Sequence, residues 1–160
     1  TFDKVIGSEA PYGYVLCRGA GAQLQRLFLE RGFRLSPIRQ KAIAKLFTSK
    51  RIDTHLKALR ALLLERMMQL NALLHIHGDD LWRVVEPHGG ASFWLEATRP
   101  VEMRQVFEHL LNQRIVIAPG ELFSQHGAWP HHLRLSYTLD WSKDIAQAVK
   151  QLAQALRQSP

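Results

Sequence analysis

The sequence contains a single cysteine, Cys17, and no long apolar run. One cysteine excludes an internal disulfide framework and is typical of a reducing compartment, so we predict a cytoplasmic location. We expect Cys17 to be a buried strand residue rather than a reactive thiol. Because no apolar run approaches the roughly 20 residues that a membrane helix needs, we expect no membrane contact.

The sequence also lacks internal repeats and low-complexity linkers. Its 160 residues are 46% hydrophobic, which is enough for a buried core and suits one domain or one domain plus a fragment. The chain opens on Thr1 instead of methionine, and we therefore expect a piece of a longer protein. A soft boundary near residue 50 separates a helix-rich first part from a second part that contains the predicted sheet.

The net charge of +7 is unevenly distributed, because residues 26–66 hold eleven Lys and Arg side chains against three acids. A basic patch of this kind can bind nucleic acid, and Phe28 and Phe33 are the stacking candidates nearby. The alternative is a solvated helix face, and the small number of aromatic side chains nearby favours this alternative. A small basic nucleic-acid-binding module is therefore one candidate function, ranked last.

Eight histidines are present, and two pairs of them, His75 with His77 and His131 with His132, are potential metal ligands. Neither pair has the helical i, i+4 ligand spacing, and no thiolate supports them. We therefore predict no metal site.

Hydrophobic periodicity predicts strands flanked by helices, which is an α/β or α+β sandwich with a small antiparallel or mixed sheet. Ser36-Pro37 marks one helix start, and Ser142 is the predicted cap of the last helix. Strands are predicted at residues 13–18, 81–85, 92–97, 115–118 and 133–137, and helices at 23–30, 37–47, 52–76, 101–112 and 145–156.

The run Leu133-Arg-Leu-Ser-Tyr137 places one arginine, Arg134, inside an otherwise apolar strand. A guanidinium in such a strand is costly unless an anion meets it, and arginine binds carboxylates through two parallel hydrogen bonds. Two interpretations follow: a salt bridge to an internal acid such as Glu96 or Glu121, or a site for the carboxylate of a ligand.

The ordered set of motifs resembles the C-terminal small domain of fold-type I aminotransferases that depend on pyridoxal phosphate. Within that group it is most similar to the aminotransferase-like domain of MocR-type regulators in the GntR family. The resemblance covers almost the whole chain, although each motif is weak alone. The motifs are Phe2-Asp-Lys4, Tyr12-Gly-Tyr14, Ile52-Asp-Thr-His-Leu-Lys-Ala-Leu-Arg60, Gly89-Gly90, Pro119-Gly-Glu-Leu-Phe123 and Leu133-Arg-Leu-Ser136.

The resemblance implies that residues 1–50 are a remnant of the large cofactor domain and residues 51–160 the small C-terminal domain. It places Lys4 where the family has its catalytic Schiff-base lysine, which binds pyridoxal phosphate, and Arg134 where the family binds the substrate carboxylate. An amino-acid or amine ligand would then control DNA binding by an N-terminal winged helix that is absent here. The family further implies a homodimer.

Two positions depart from the family pattern. Asp3 stands in place of a small hydroxyl residue and Pro11 in place of an arginine, and both family residues serve the cofactor phosphate. An acid repels a phosphate dianion and proline offers no charge. These departures favour a sensor over a catalytic aminotransferase, which is the alternative function, and we expect the 160-residue chain alone to be inactive.

Overall fold

The computed structural model describes residues 2–7, 12–32 and 36–159. The chain divides into two compact units, Thr1–Arg60 and Ala61–Pro160, and the division falls within its longest helix. No helix in the described ranges combines the length and apolarity needed to cross a membrane. The elements are α1 (Asp3–Ile6), α2 (Gly21–Glu30), α3 (Pro37–Phe47), α4 (Lys50–Gly78), β1 (Trp82–Val85), β2 (Ser92–Ala97), α5 (Met103–Asn112), β3 (Ala118–Pro119), a 3-10 turn (Gly120–Phe123), β4 (His132–Ser136) and α6 (Ile145–Gln158).

The unit Thr1–Arg60 consists of helices with little buried apolar surface. Its two predicted helices are confirmed as α2 and α3, and Pro37 occupies the first turn of α3 after Ser36, as the sequence indicated. Ile52 is the one buried apolar side chain among the described residues of this unit.

The strand predicted at residues 13–18 is wrong. Residues 12–17 form neither helix nor strand, and Tyr14, Val15 and Leu16 are all exposed. A strand requires a neighbouring strand for its N–H and C=O groups, and every ladder among the described residues lies in the other unit. Cys17 is exposed as well, so the prediction of a buried cysteine is also wrong.

The unit Ala61–Pro160 contains a four-stranded antiparallel sheet with the order β1-β2-β4-β3. The predicted pairing of the first two strands is confirmed, with Trp82 opposite Ala97. The predicted strand at 115–118 is displaced, since only Ala118 and Pro119 pair with β4. Pro119 has no N–H to donate, which is consistent with a ladder this short at a sheet edge.

One face of the sheet forms the core together with α4, α5 and α6. Alternation along β2 buries Phe93, Leu95 and Ala97 on this face and leaves the residues between them partly exposed. The predicted apolar stripes of the helices are confirmed where they reach this core. Its fully buried members include Leu70 and Leu74 of α4, Met103, Val106 and Leu110 of α5, Leu133 of β4, and Leu152 and Leu156 of α6.

The last helix is capped differently from the prediction. The side chain of Asp144, not that of Ser142, accepts a hydrogen bond from the backbone N–H of Gln147 at 2.9 Å. Ser142 donates instead to the carboxylate of Asp140, from its hydroxyl at 2.7 Å and from its backbone N–H at 3.1 Å. These two hydrogen bonds lower the pKa of Asp140. At the other end of α6, Arg99 donates to the backbone carbonyl groups of Leu156, Arg157 and Ser159, which lack helical partners.

Tyr137 gives the fold a predictable response to alkaline pH. Its side chain is 2% exposed and packs edge-on against Phe93, and burial raises the pKa of its phenol. The unfolded chain therefore loses the phenol proton first, at a pH of about 10. The contribution of Tyr137 to the free energy of unfolding is fully present below that pH and is lost as the pH rises through the pKa of the folded protein. We expect Tyr137→Phe to flatten the alkaline decrease in the free energy of unfolding, measured by urea denaturation between about pH 9 and 11. Tyr14→Phe, at a tyrosine that is 69% exposed, is the matched control, and an equal effect of both variants would contradict this assignment.

Candidate functional site

Arg134 lies in the middle of β4, on the sheet face opposite the core. Its cross-strand partners are Trp94 of β2 and Ala118 of β3, so all three side chains point to the same face. The preceding residue, Leu133, is fully buried, whereas Arg134 is exposed. The expectation of a guanidinium enclosed by apolar residues is therefore wrong, because strand alternation directs this side chain away from the core.

The guanidinium of Arg134 pairs with a ring and not with an acid. Its central carbon lies 5.1 Å from the centre of the Phe123 ring. Within the described residues Arg134 makes no salt bridge, and Glu96 lies 4.0 Å from Arg83 instead. Of the two interpretations of Arg134, the structure therefore does not support the salt bridge to Glu96 or Glu121.

An aromatic cluster occupies the same face of the sheet as Arg134. We define the aromatic cluster as Trp94, Phe123, Trp129 and His132. The Trp94 ring centre lies 5.5 Å from Phe123, 6.0 Å from Trp129 and 5.5 Å from His132, and the Phe123 and Trp129 rings stand nearly perpendicular to it. Phe123 and Trp129 are each 48% exposed, so both present ring surface to solvent, and Phe123 does so beside Arg134.

Unusual backbone geometry places Trp129 in this cluster. Its φ angle is +67°, a conformation that is uncommon for a bulky side chain. Gly120 lies directly beneath it, since a Cβ atom at residue 120 would come within 2.5 Å of the Trp129 carbonyl oxygen and 2.8 Å of the His132 Cβ. Only glycine permits this close approach of the two segments.

A cavity of about 590 Å³ includes Arg134 in its lining. It lies between the segment 115–118, the turn around residue 140 and the first turns of α6, and its lining is mainly apolar. Arg134, Lys143 and Asp140 are among its charged groups. A largely apolar cavity of this size with a few charged groups is typical of small-molecule sites.

Lys4, the other predicted site residue, lies in the unit Thr1–Arg60. It belongs to the short helix α1, its side chain is 77% exposed, and its ammonium lies 3.0 Å from a carboxylate oxygen of Asp3. An acid beside this amine repels a phosphate dianion, so the described residues around Lys4 do not fit the phosphate of pyridoxal phosphate. Pro11, the second departure from the family pattern, lies outside the described residues.

The histidine pairs have other roles in the structure. His131 contacts the backbone of Val101 through Nδ1, and His132 belongs to the aromatic cluster, where its Nδ1 is buried without a hydrogen-bond partner among the described residues. His75 contacts the carboxylate of Asp79 at 2.7 Å. In the part of the chain that the structure describes, no three His, Cys, Asp or Glu side chains form a group that could hold a metal ion.

Sequence reasoning found Arg134 but missed the aromatic cluster. One signal was present in β2, where Trp94 alternates with Ser92 and Glu96 and so falls on the polar side of the strand. Trp129 gave no comparable signal, because it lies in a loop and reaches the cluster through its own unusual backbone angle.

The relatives of the chain are transcriptional regulators. No protein-family model matches it. It is 28% identical to the uncharacterized HTH-type transcriptional regulator YdcR of Escherichia coli over 99% of its length, and it covers 34% of that protein. It is also 32% identical to the HTH-type regulator YjiR of the same organism, over 46% of this chain and 16% of that protein. The chain therefore spans about a third or less of the length of these relatives.

Aminotransferases are among the solved structures that the chain resembles. The α-aminoadipate aminotransferase LysN of Thermus thermophilus matches 98% of this chain and 40% of its own, with a TM-score of 0.79 and 24% identity. The valine–pyruvate aminotransferase AvtA of Salmonella typhimurium matches 85% of this chain and 37% of its own, with a TM-score of 0.72 and 18% identity. The predicted fold and the predicted resemblance to an aminotransferase-like domain of regulators are both confirmed.

Proposed function

We propose that this chain, an aminotransferase-like domain related to HTH-type transcriptional regulators, senses an amino acid or a related ligand by binding its carboxylate at Arg134. In the full-length protein, which we assign to the MocR type of the GntR family, binding would control the DNA affinity of an N-terminal winged helix. Residues 1–50 would then belong to the large domain and residues 51–160 to the small domain.

The observation that carries this proposal is the environment of Arg134. The side chain is exposed at the centre of a sheet face, it makes no salt bridge within the described residues, and a cavity lies beside it. The guanidinium carbon lies 5.1 Å from the Phe123 ring centre, and the planar fork of N–H donors of an arginine suits the two oxygens of a carboxylate. A cation held in this way is suited to bind an anionic ligand.

The test is ligand binding by the full-length protein and its Arg134 variants. Losing a charge-assisted hydrogen-bond pair costs about 1.5–3 kcal/mol, so we expect Arg134→Ala to weaken binding of the responsive amino acid roughly 10- to 100-fold. Arg134→Lys should recover only part of this affinity, because lysine keeps the charge but not the planar fork. Isothermal titration calorimetry over an amino-acid panel measures both effects, and a DNA mobility shift reports the response.

Arg83→Ala is the matched control for that experiment. Arg83 is exposed on the same face of the sheet, in β1, and its nearest acid is Glu96 at 4.0 Å. The Arg83→Ala substitution removes the same positive charge outside the proposed site, so we expect unchanged ligand binding. Equal affinity of the Arg134→Ala variant and the unmodified protein would overturn the proposed function.

A second candidate function is a catalytic aminotransferase, which the similarity to LysN and AvtA supports. This candidate would require Lys4 to hold pyridoxal phosphate, which the carboxylate of Asp3 beside it opposes, and Arg134 to orient the substrate through its carboxylate. The pair of Lys4 with Asp3 favours the sensor, and failure to transfer an amino group from any amino acid of a broad panel would exclude the enzyme.

The proposal includes a homodimer in the cytoplasm. The exposed apolar side chains of the unit Thr1–Arg60, among them Tyr14, Leu16 and Ile38, are suited to contact a further protein segment, and we expect a second copy to contribute to that contact.

A further inference from the structure

The ligand site has a chemical character beyond its positive charge. Trp94 stands directly opposite Arg134 in the sheet register, and Phe123 lies under the guanidinium. A carboxylate held by Arg134 therefore lies near the rings of Trp94 and Phe123. Phe123 and Trp129 are each about half exposed, which leaves ring surface for another group to contact.

The guanidinium of Arg134 places a bound carboxylate near the aromatic cluster. Its central carbon lies 5.1 Å from the centre of the Phe123 ring, and the Trp94 ring centre lies 5.5 Å from that of Phe123. Trp129 belongs to the same cluster, with its ring centre 6.0 Å from that of Trp94. A ligand bound through its carboxylate to this guanidinium therefore lies near exposed ring surface.

The aromatic cluster also requires an unfavourable backbone conformation. Trp129 adopts a positive φ angle that bulky side chains rarely take, and Gly120 permits the close contact beneath it. Strained residues of this kind are concentrated at ligand sites, where the surrounding structure holds them in place. A tryptophan in such a conformation, half exposed in the aromatic cluster, is suited to contact a ligand.

We infer that the ligand is an aromatic carboxylate, such as an aromatic amino acid, whose ring packs against Phe123 and Trp129 while Arg134 binds its carboxylate. This inference rests on the proposed function, because it requires that Arg134 bind the carboxylate. Aromatic rings gain interaction energy from offset or edge-on contacts in addition to the energy of burial. A saturated ring with the same carbon skeleton has no π face and gains only the burial.

The test compares L-phenylalanine with L-cyclohexylalanine, which has the same carbon skeleton and a saturated ring. Titration calorimetry of the full-length protein should give phenylalanine an affinity roughly 3- to 10-fold higher, although cyclohexylalanine is the more apolar ligand. Trp129→Leu should reduce this preference to the part that Phe123 supplies, and Trp129→Phe should retain most of it, because phenylalanine restores a ring. Leu122→Ala, at an exposed side chain of the same turn as Phe123, is the control and should not change the preference.

The outcomes separate this inference from the proposed function. If cyclohexylalanine or leucine binds as well as phenylalanine, and Arg134→Ala weakens all of them, then the ligand is not selected by an aromatic ring and only this inference fails. If Arg134→Ala leaves the binding of every carboxylate unchanged, the proposed function fails, and this inference with it.

Discussion

Replacing Phe93 by alanine is expected to lower the free energy of unfolding by about 3–5 kcal/mol. Phe93 lies in the central strand β2, is 1% exposed, and contacts Tyr137 edge-on at 5.5 Å between ring centres. Its removal would leave a cavity between the sheet and the helices, which a close-packed core fills only in part. Since a typical domain is stable by about 5–15 kcal/mol, this loss would leave a marginally folded protein.

Urea denaturation followed by far-UV circular dichroism measures the effect of Phe93→Ala. Val85→Ala is the control, because Val85 lies in the neighbouring strand β1 but is 66% exposed. Its effect should stay within about 0.5 kcal/mol, as is usual for surface positions. A loss below about 1 kcal/mol for Phe93→Ala would mean that this ring does not contribute to the core as the structure describes.

The second large effect is expected from Gly120→Ala, which adds a single methyl group. That methyl would come within 2.5 Å of the Trp129 carbonyl oxygen, so the segment that carries Trp129 must move. Overpacking of this kind costs about 1–3 kcal/mol. It would also displace Trp129 from Trp94, and we therefore expect weaker binding of an aromatic ligand together with the loss of stability.

Near-UV circular dichroism of the Gly120→Ala variant reports the environment of Trp129, and urea denaturation reports its stability. Gly21→Ala is the same substitution at the start of α2, where a Cβ atom meets nothing within 4 Å and φ is not positive, so the near-UV spectrum should stay unchanged and the stability should not fall. An unaltered near-UV spectrum of Gly120→Ala would show that the close contact between residues 120 and 129 is not formed.

Most of the helices and the centre of the sheet could be predicted because their signals are local. The apolar spacing in α4, α5 and α6 and the alternation in β2 each depend on residues a few positions apart. The prediction of a strand at 13–18 was wrong because strand formation is not a local property. Apolar residues form a strand only where another strand pairs with them. The cap of α6 failed because Ser142 and Asp144 are both good capping residues, and the geometry of the turn selected Asp144.

The candidate site shows the same division. Arg134 could be identified from the sequence, because a single charge within an apolar strand stands out and the motif around it resembles a known family. The aromatic cluster could not be identified, because Trp94 and Trp129 are separated by a helix, a strand and a loop, and they meet only when β2 and β4 pair.

The sequence by itself thus determined the order of the helices, the alternation of the central strand and the presence of an arginine in β4. Only the tertiary structure decided which way that arginine points and what surrounds it. The physical reason is that Leu133 is buried in the core, and strand alternation then directs Arg134 to the opposite face of the sheet. On that face, the pairing of β4 with β2 places Trp94 beside Arg134.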